Sequence, residues 1–306
     1  MKNVLIVGGN GFIGRNLVKY LTQDKELKVK VFDLNSSNLQ EYIIDERIEF
    51  IEGNLEDRES IKKSLDNTED VIYLSSVTDV IKSVENPFLE IKNLEFMLNF
   101  LEEAKFSSVK RIFYASSGGT VYGESKQLPL VENLEKNPIS PYGIMKLSIE
   151  HFLEYYSKKF DLEYVILRYS NLYGNNLKDN LTIGAVDIFL KKILSGDEIE
   201  IYGNPSKIVR DYIYIEDLTK VHHMLIKKER LNHHIFNVGS GIETSLQDII
   251  ECIENFTYKK AKVKIKESKV ENVSRVVLDI SKLKEEIKWK PINLPQAMEN
   301  ILRRSI

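Results

Sequence analysis

Tyr142 and Lys146, in the run SPYGIMK, stand four residues apart at the head of a segment whose pattern predicts a long helix. That spacing is about one helical turn, so both side chains share a face. A lysine ammonium one turn from a phenol lowers the phenol's pKa, and the tyrosine then moves a proton near neutral pH. Tyrosine and lysine are common on helix faces, so the pair gains meaning only from its surroundings. The chain opens with GGNGFIG, which sets Gly8, Gly11 and Gly14, with Phe12 and Ile13 among them, between an apolar run and a helical pattern. Glycines so spaced permit a tight turn, close approach of the backbone to a pyrophosphate and contact of helix with strand. The helix N-terminus stabilises phosphate charge. Asp33 closes the next apolar run about 20 residues on, where a carboxylate accepts from a ribose 2′-hydroxyl and repels a 2′-phosphate. These features favour NAD over NADP; a glycine-rich turn with no ligand is the alternative. In GNLED, Asn54 and Leu55 edge an adenine, or Asp57 caps a helix, and the two readings are compatible.

The elements that must position these groups alternate along the chain. Val4 to Val7, Val29 to Phe32, Ile48 to Ile51, Val71 to Leu74, Val109 to Ala115 and Tyr164 to Leu167 read as short apolar strands. Helical patterns run from Phe12 to Leu21, from about Pro87 to Ala104 and from Tyr142 to about Phe160. Such alternation predicts right-handed βαβ units on a buried parallel sheet, an α/β Rossmann-like doubly wound fold. After Arg168 it gives way to a loop rich in asparagine and glycine, a helix near Ile183 to Leu194, scattered short strands and a helix near Gln296 to Leu302. That part reads as a smaller α+β C-terminal substrate domain. Asp217 to Lys227 and Ile235 to Val238 are placed to return to the first sheet. The expected division is 1–168 with 213–238 for the dinucleotide and 169–212 with 239–306 for the substrate.

A formal charge of -3 over 306 residues, with both signs interspersed, offers no electrostatic footprint for nucleic acid or an anionic membrane. Cys252 is the only cysteine, so an internal disulfide and a cysteine-based metal site are excluded, and a reducing cytoplasm fits. The apolar run before the first glycines is too short for a signal peptide, and no stretch has the length of a membrane span. His222-His223 and His233-His234 are adjacent pairs that face apart, which suits packing better than metal ligation.

The residues quoted so far, with LSSVTDV, SSGGTVYG, LRYSNLYG, IVRDYIYIEDL, FNVGSG and LDISKLKEEIKW, run in one order over nearly the whole chain. In that order the chain resembles the extended short-chain dehydrogenase/reductases that act on nucleotide sugars, most closely the group of UDP-glucose 4-epimerases. The resemblance implies Tyr142 as catalytic acid/base, with Lys146 as its activator and a ribose contact. Leu74 and Thr78 of LSSVTDV, Asn93 of EIKNLEF, and Tyr169 after the sixth strand fall where family members approach NAD. Asn171 falls at the sugar nucleotide. Arg210 of VRDY falls on the substrate diphosphate, with Arg275 as a second contact; a guanidinium fork suits that group.

One position departs from the family pattern. Gly118 stands where the family carries the serine or threonine that bonds the substrate hydroxyl. If strand-like alternation continues, Thr120 reaches the same face; Ser117 is the next candidate. The segment also lacks the carboxylates that related dehydratases and decarboxylases carry before VYG, since Gly119 and Thr120 stand there. Hydride transfer with one proton remains. The resemblance therefore implies 4-epimerisation of a UDP-linked hexose, plain or N-acetylated, on tightly bound NAD. A 4-keto-sugar reductase with exchangeable NAD(P)H, or an NAD-binding sensor without chemistry, is the alternative. The resemblance implies a homodimer through the helices Pro87 to Ala104 and Tyr142 to Phe160; Phe96, Phe100, Phe152 and Tyr156 form either an outer apolar stripe there or part of the core.

Overall fold

In the computed structural model, which describes residues 1–174, 184–267 and 275–305, the chain divides into two units. The first holds Met1–Gly123, Glu135–Arg168 and Thr219–Phe236, and the second Glu124–Leu134, Tyr169–Leu218 and Asn237–Ile306. The second thus takes in residues 124–134, 213–218 and 237–238, which the sequence pattern grouped with the first.

In the first unit the elements follow one another as β1 (Lys2–Val7), α1 (Phe12–Leu21), β2 (Leu27–Asp33), β3 (Ile48–Glu52), α2 (Arg58–Leu65) and β4 (Asp70–Tyr73). Then come α3 (Val80–Glu85), α4 (Leu89–Ala104), β5 (Arg111–Ser117), α5 (Pro141–Phe160) and β6 (Glu163–Tyr169). The strand Ile235–Val238 lies beside β6, and the seven-stranded sheet continues through β5, β4, β1, β2 and β3. Parallel pairing joins β1 to β2 and β4, β2 to β3, and β4 to β5. Chain order therefore reverses beside β1, and the loops after β1 and β4 flank a topological switch point, where ligands of such sheets bind. Val4 to Val7 are fully buried, as a strand covered on both faces requires. Leu5, Val7 and Val71 pack with Met97, Phe100 and Leu153 into one core under α4 and α5.

Two local features set the site. α1 starts at Gly11, an extended N-cap with no side-chain cap, so its first amides face the glycine loop. α5 is started sharply: Ser140 accepts from the Gly143 amide at 3.2 Å, Pro141 occupies the first turn, and Tyr142 follows. Gly143 lets that turn press on the chain before it, since a Cβ there would lie 2.7 Å from the Thr120 carbonyl oxygen.

Some expectations are corrected. The strand-like alternation does not continue to Thr120: β5 ends at Ser117, whose carbonyl accepts from the amides of Thr120 and Val121 in a turn. α3, capped by Asp79, was not foreseen. Of the two readings for the aromatic stripe the core one holds: Phe96 and Phe100 of α4 and Tyr156 of α5 are buried in the core and Phe152 packs against it, since both helices lay these faces on the same core. Outward apolar side chains on these helices are instead Ile91, Ile144 and Tyr155, with Phe88 just ahead of α4. Ile183, the expected start of a helix, lies outside the described residues; the described helix runs Gly184–Ser195.

The second unit is built of short pieces. Val209–Arg210 lies between Thr244–Ser245 and Arg275–Val276, and Asn171–Tyr173 pairs with Tyr212–Tyr214. Asp211 of VRDY is fully buried and accepts from the Ser240 amide and hydroxyl and from the amides of Gly241 and Leu278. That one carboxylate ties VRDY to FNVGSG and to the segment before LDISK.

At Gly14 an added Cβ would lie 2.4 Å from the Gly9 Cα and 2.6 Å from the Gly8 carbonyl oxygen, all backbone that cannot turn aside. Gly14→Ala is expected to cost about 1–3 kcal/mol despite alanine's better helix propensity. Urea unfolding should show a lower midpoint at unchanged slope.

Candidate active site

Lys146 Nζ is buried and donates to the Ala115 carbonyl at 2.8 Å, tying α5 to the end of β5. It lies 5.3 Å from the centre of the Tyr142 ring and 5.0 Å from that of Tyr114. Burial lowers the Lys146 pKa to about 8, with the charges of Glu90 and Glu150 opposing the fall. The Tyr142 phenol moves the other way: burial pushes its pKa up, and the charges of Glu90 and Asp79 push it further. The expected lowering of the phenol is thus not the work of these protein groups. Lys146 is turned to a carbonyl and to ring faces, and the anionic neighbours of Tyr142 disfavour phenolate.

Two buried hydroxyls close to this pair lack a hydrogen-bond partner, Thr120 Oγ1 and Tyr114 OH. An unmet buried hydroxyl costs about 1–3 kcal/mol, so both suit a polar ligand or water. Ser117 sits half-buried at the strand end, while its neighbour Ser116 is committed, donating to Glu150 at 2.5 Å. Glu150 is clamped from the other side by Arg168 Nε at 3.0 Å and Nη2 at 2.6 Å, and Arg168 Nη1 also meets the Tyr122 hydroxyl at 3.0 Å. This buried fork connects α5, β6 and the SSGGTVYG segment under the Tyr142–Lys146 pair.

The glycine loop forms a cradle at the switch point. Gly8 has a φ of +81, and a Cβ there would meet the Ser75 amide nitrogen at 3.0 Å, so the loop backs against the end of β4 beside Leu74. Asp33 Oδ2 accepts from the Asn10 amide at 2.8 Å and Oδ1 from Leu34, which holds the loop to β2. Asn10 extends that tie, donating to Asn35 and accepting from the Asn38 amide. Phe12 and Gly14 are buried and Ile13 half-buried. An uncapped helix start, glycines where side chains would collide, and a carboxylate at the end of β2 fit a dinucleotide such as NAD. Asn54 is exposed after β3, whereas the Leu55 side chain belongs to the core and Asp57 caps α2.

Thr78 and Asn93 come together with a residue that motif matching passed over. Thr78 Oγ1 donates to Glu90 Oε1 at 2.6 Å, and Asn93 Nδ2 donates to Glu90 Oε2 at 2.9 Å and to Thr78 Oγ1 at 2.8 Å. All three are buried, and Asn93 Oδ1 accepts from the Val77 amide. Helical spacing offered the missed signal: Glu90 is one turn before Asn93, and Glu150 one turn after Lys146.

In the second unit Tyr169 is buried, and the Asn171 amide donates to the Asp211 carbonyl at 3.0 Å. Arg210 is half-buried. Arg275 stands opposite Val209 in the parallel register, one place from Arg210, so the two guanidinium groups leave on opposite faces. Arg275 is exposed and pairs with Glu243; the structure does not bring it to Arg210. His222 is buried against Phe113, with its pKa driven down to about 3, and His223 meets Asp24 at 2.8 Å. Among the described residues no cluster of His, Cys, Asp or Glu could hold a metal. A cleft of about 980 Å³ at the opposite, N-terminal ends of β1, β4 and β5 is lined in part by ion pairs, chiefly Arg111 on Asp70 and Lys110 on Glu69.

Removing one partner of the Arg168–Glu150 pair strands a buried charge, which typically costs about 3–5 kcal/mol. Arg168→Met should show that loss in urea unfolding.

A family model described as the NAD dependent epimerase/dehydratase family matches residues 4–239. A protein of Methanocaldococcus jannaschii, provisionally named UDP-glucose 4-epimerase, is 32% identical over 302 residues, which is 98% of this chain and 97% of that one. The dTDP-4-dehydro-6-deoxyglucose reductase of Escherichia coli is also 32% identical, over 94% of this chain and 92% of that one. The UDP-glucose 4-epimerase of Thermotoga maritima, solved with UDP-glucose, matches with a TM-score of 0.89 and 31% identity over 99% of each chain. With the glycine loop, the Tyr142–Lys146 pair and the seven-stranded sheet all inside the matched span, the chain belongs to the NAD-dependent epimerase/dehydratase family.

Proposed function

We propose that this protein is an NAD-dependent nucleotide-sugar 4-epimerase acting on a UDP-linked hexose, of the glucose/galactose type or its N-acetylated form. The observation that carries the reading is the Tyr142–Lys146 pair beside the unpartnered Thr120 hydroxyl, with Gly119 where elimination chemistry would need a carboxylate. NAD, held by the glycine loop and Asp33, supplies a hydride acceptor and donor when bound. Tyr142 takes the proton of the sugar 4-hydroxyl and returns it to the inverted carbinol. Thr120, with Ser117 as second candidate, bonds that hydroxyl and keeps it on the phenol. Lys146 is assigned as the activator of Tyr142 in the loaded site, where the nicotinamide charge would help it offset the burial and the anionic neighbours that hold the phenol proton on. Leu74, Thr78, Asn93 and Tyr169 are assigned to the cofactor, and Asn171 and Arg210 to the sugar nucleotide; all of the cofactor group but Tyr169 stand in the first unit, and Asn171 and Arg210 stand in the second. The exposed side chains Ile91, Ile144 and Tyr155 support a homodimer through α4 and α5. No helix among the described residues is long and apolar enough to cross a membrane, and the reading includes a cytoplasmic location.

The 32% identity to a 4-keto-sugar reductase favours one second reading, reduction with exchangeable NADH. A panel of UDP-sugars, incubated without added nicotinamide and followed by NMR, separates the two: an epimerase interconverts the C4 epimers, and a reductase leaves them unchanged until NADH and a keto sugar are supplied. Tyr142→Phe should lower turnover by about 100-fold or more while NAD stays bound. Near-normal turnover in that variant would remove Tyr142 from its role.

A further inference from the structure

Glu90 is a carboxylate with almost no exposure, on the first turn of α4, the helix that shares one core with the α5 of Tyr142 and Lys146. Its two oxygens accept from Thr78 and Asn93, an arrangement that suits an ionised carboxylate. Asn93 in turn accepts from the Val77 amide, which fixes the loop after β4 to α4. A buried anion is costly unless a cation or fixed dipoles compensate it, and a neutral amide could fill this space and keep most of the same bonds. The charge itself therefore calls for a reason, and the nearby buried ammonium of Lys146 provides one.

We propose that Glu90 is a positioning residue of the reaction: a buried anion that Thr78 and Asn93 hold beside the Tyr142–Lys146 pair, where it balances the ammonium and opposes premature loss of the phenol proton. This rests on the epimerase reading for its purpose, though not for its test. The charged and titratable groups facing the pair are Glu90 from α4, Asp79 from the segment before α3, Glu150 from α5 itself, and the Tyr114 phenol from β5, with Tyr73 of β4 behind it. Of the three carboxylates, Glu150 is already clamped by Arg168, and Asp79 is exposed and caps α3. Glu90 alone is buried, carries no cationic partner in its hydrogen bonds, and acts on both members of the pair.

The sign follows from charge. Without the Glu90 carboxylate, phenolate at Tyr142 is less opposed and the Lys146 ammonium is less supported, so both groups titrate at lower pH. The NAD-loaded protein is titrated through the neutral-to-alkaline range by tyrosinate absorbance, with Tyr142→Phe and the matching double variants subtracted to isolate Tyr142. In Glu90→Gln the Tyr142 titration should move down by about one pH unit, and the acid limb of kcat/KM should follow it. Glu90→Met, a second neutral variant that needs no hydrogen bonds, should shift it alike, whereas Glu90→Asp keeps the charge and should stay near wild type. A Tyr142 titration unmoved in the neutral variants, or moved equally by Glu90→Asp, would overturn the proposal. The titration needs no substrate, so a wild-type protein that turns over no UDP-sugar would defeat the proposed function and leave this question separately answered.

Discussion

The first unit depends on an ammonium group buried at the junction of a strand and a helix. Lys146 Nζ reaches the Ala115 carbonyl at the end of β5, and this bond ties α5 to the sheet where the chain leaves it. Taking an ammonium out of water is costly, and the structure offsets the cost with a carbonyl, two aromatic faces and two nearby carboxylates. Each compensating group then constrains its own surroundings. Tyr114 must stand in the core with its hydroxyl unmet, Glu150 must be held by Arg168 and Ser116, and Glu90 by Thr78 and Asn93.

Tyr142 is consequently poised by opposing forces. Burial and the charges of Glu90 and Asp79 hold its proton on, while the helix places an ammonium across its ring. A phenol so placed is a reluctant base until further positive charge or a hydroxyl partner arrives, which suits a group that must both take a proton and give it back. The Thr120 hydroxyl, unpartnered on the turn that follows β5, belongs to the same balance. It arrives there through the Ser117–Val121 turn and the close approach of Gly143, not through strand alternation.

The second unit shows how a motif can be structural at its centre. In VRDY the buried Asp211 gathers four hydrogen bonds from two other segments, while Arg210 beside it stays half-buried. Arg275, by contrast, is turned away by a register of one residue. Motif spacing in sequence carries no information on which face of a two-residue strand a side chain leaves, and only the pairing with Val209 decides it.

Read alone, the chain determined the alternation of strands and helices, the glycine loop with Asp33, the one-turn spacing of Tyr142 and Lys146, and the return of Ile235–Val238 to the sheet. These are local patterns, set by periodicity, caps and glycines, and they survive translation into three dimensions because each lies within one element or one turn. What tertiary structure decided was the company those residues keep. Glu90 meets Thr78 across a 12-residue separation, and Arg168 meets Glu150 and Tyr122 from three separate segments. Phe96, Phe100 and Tyr156 turn inward where a helical stripe alone permitted either face. Burial sets the direction of a pKa shift, and burial is a property of packing between distant segments; the raised phenol of Tyr142 and the lowered ammonium of Lys146 were therefore invisible until the chain was folded.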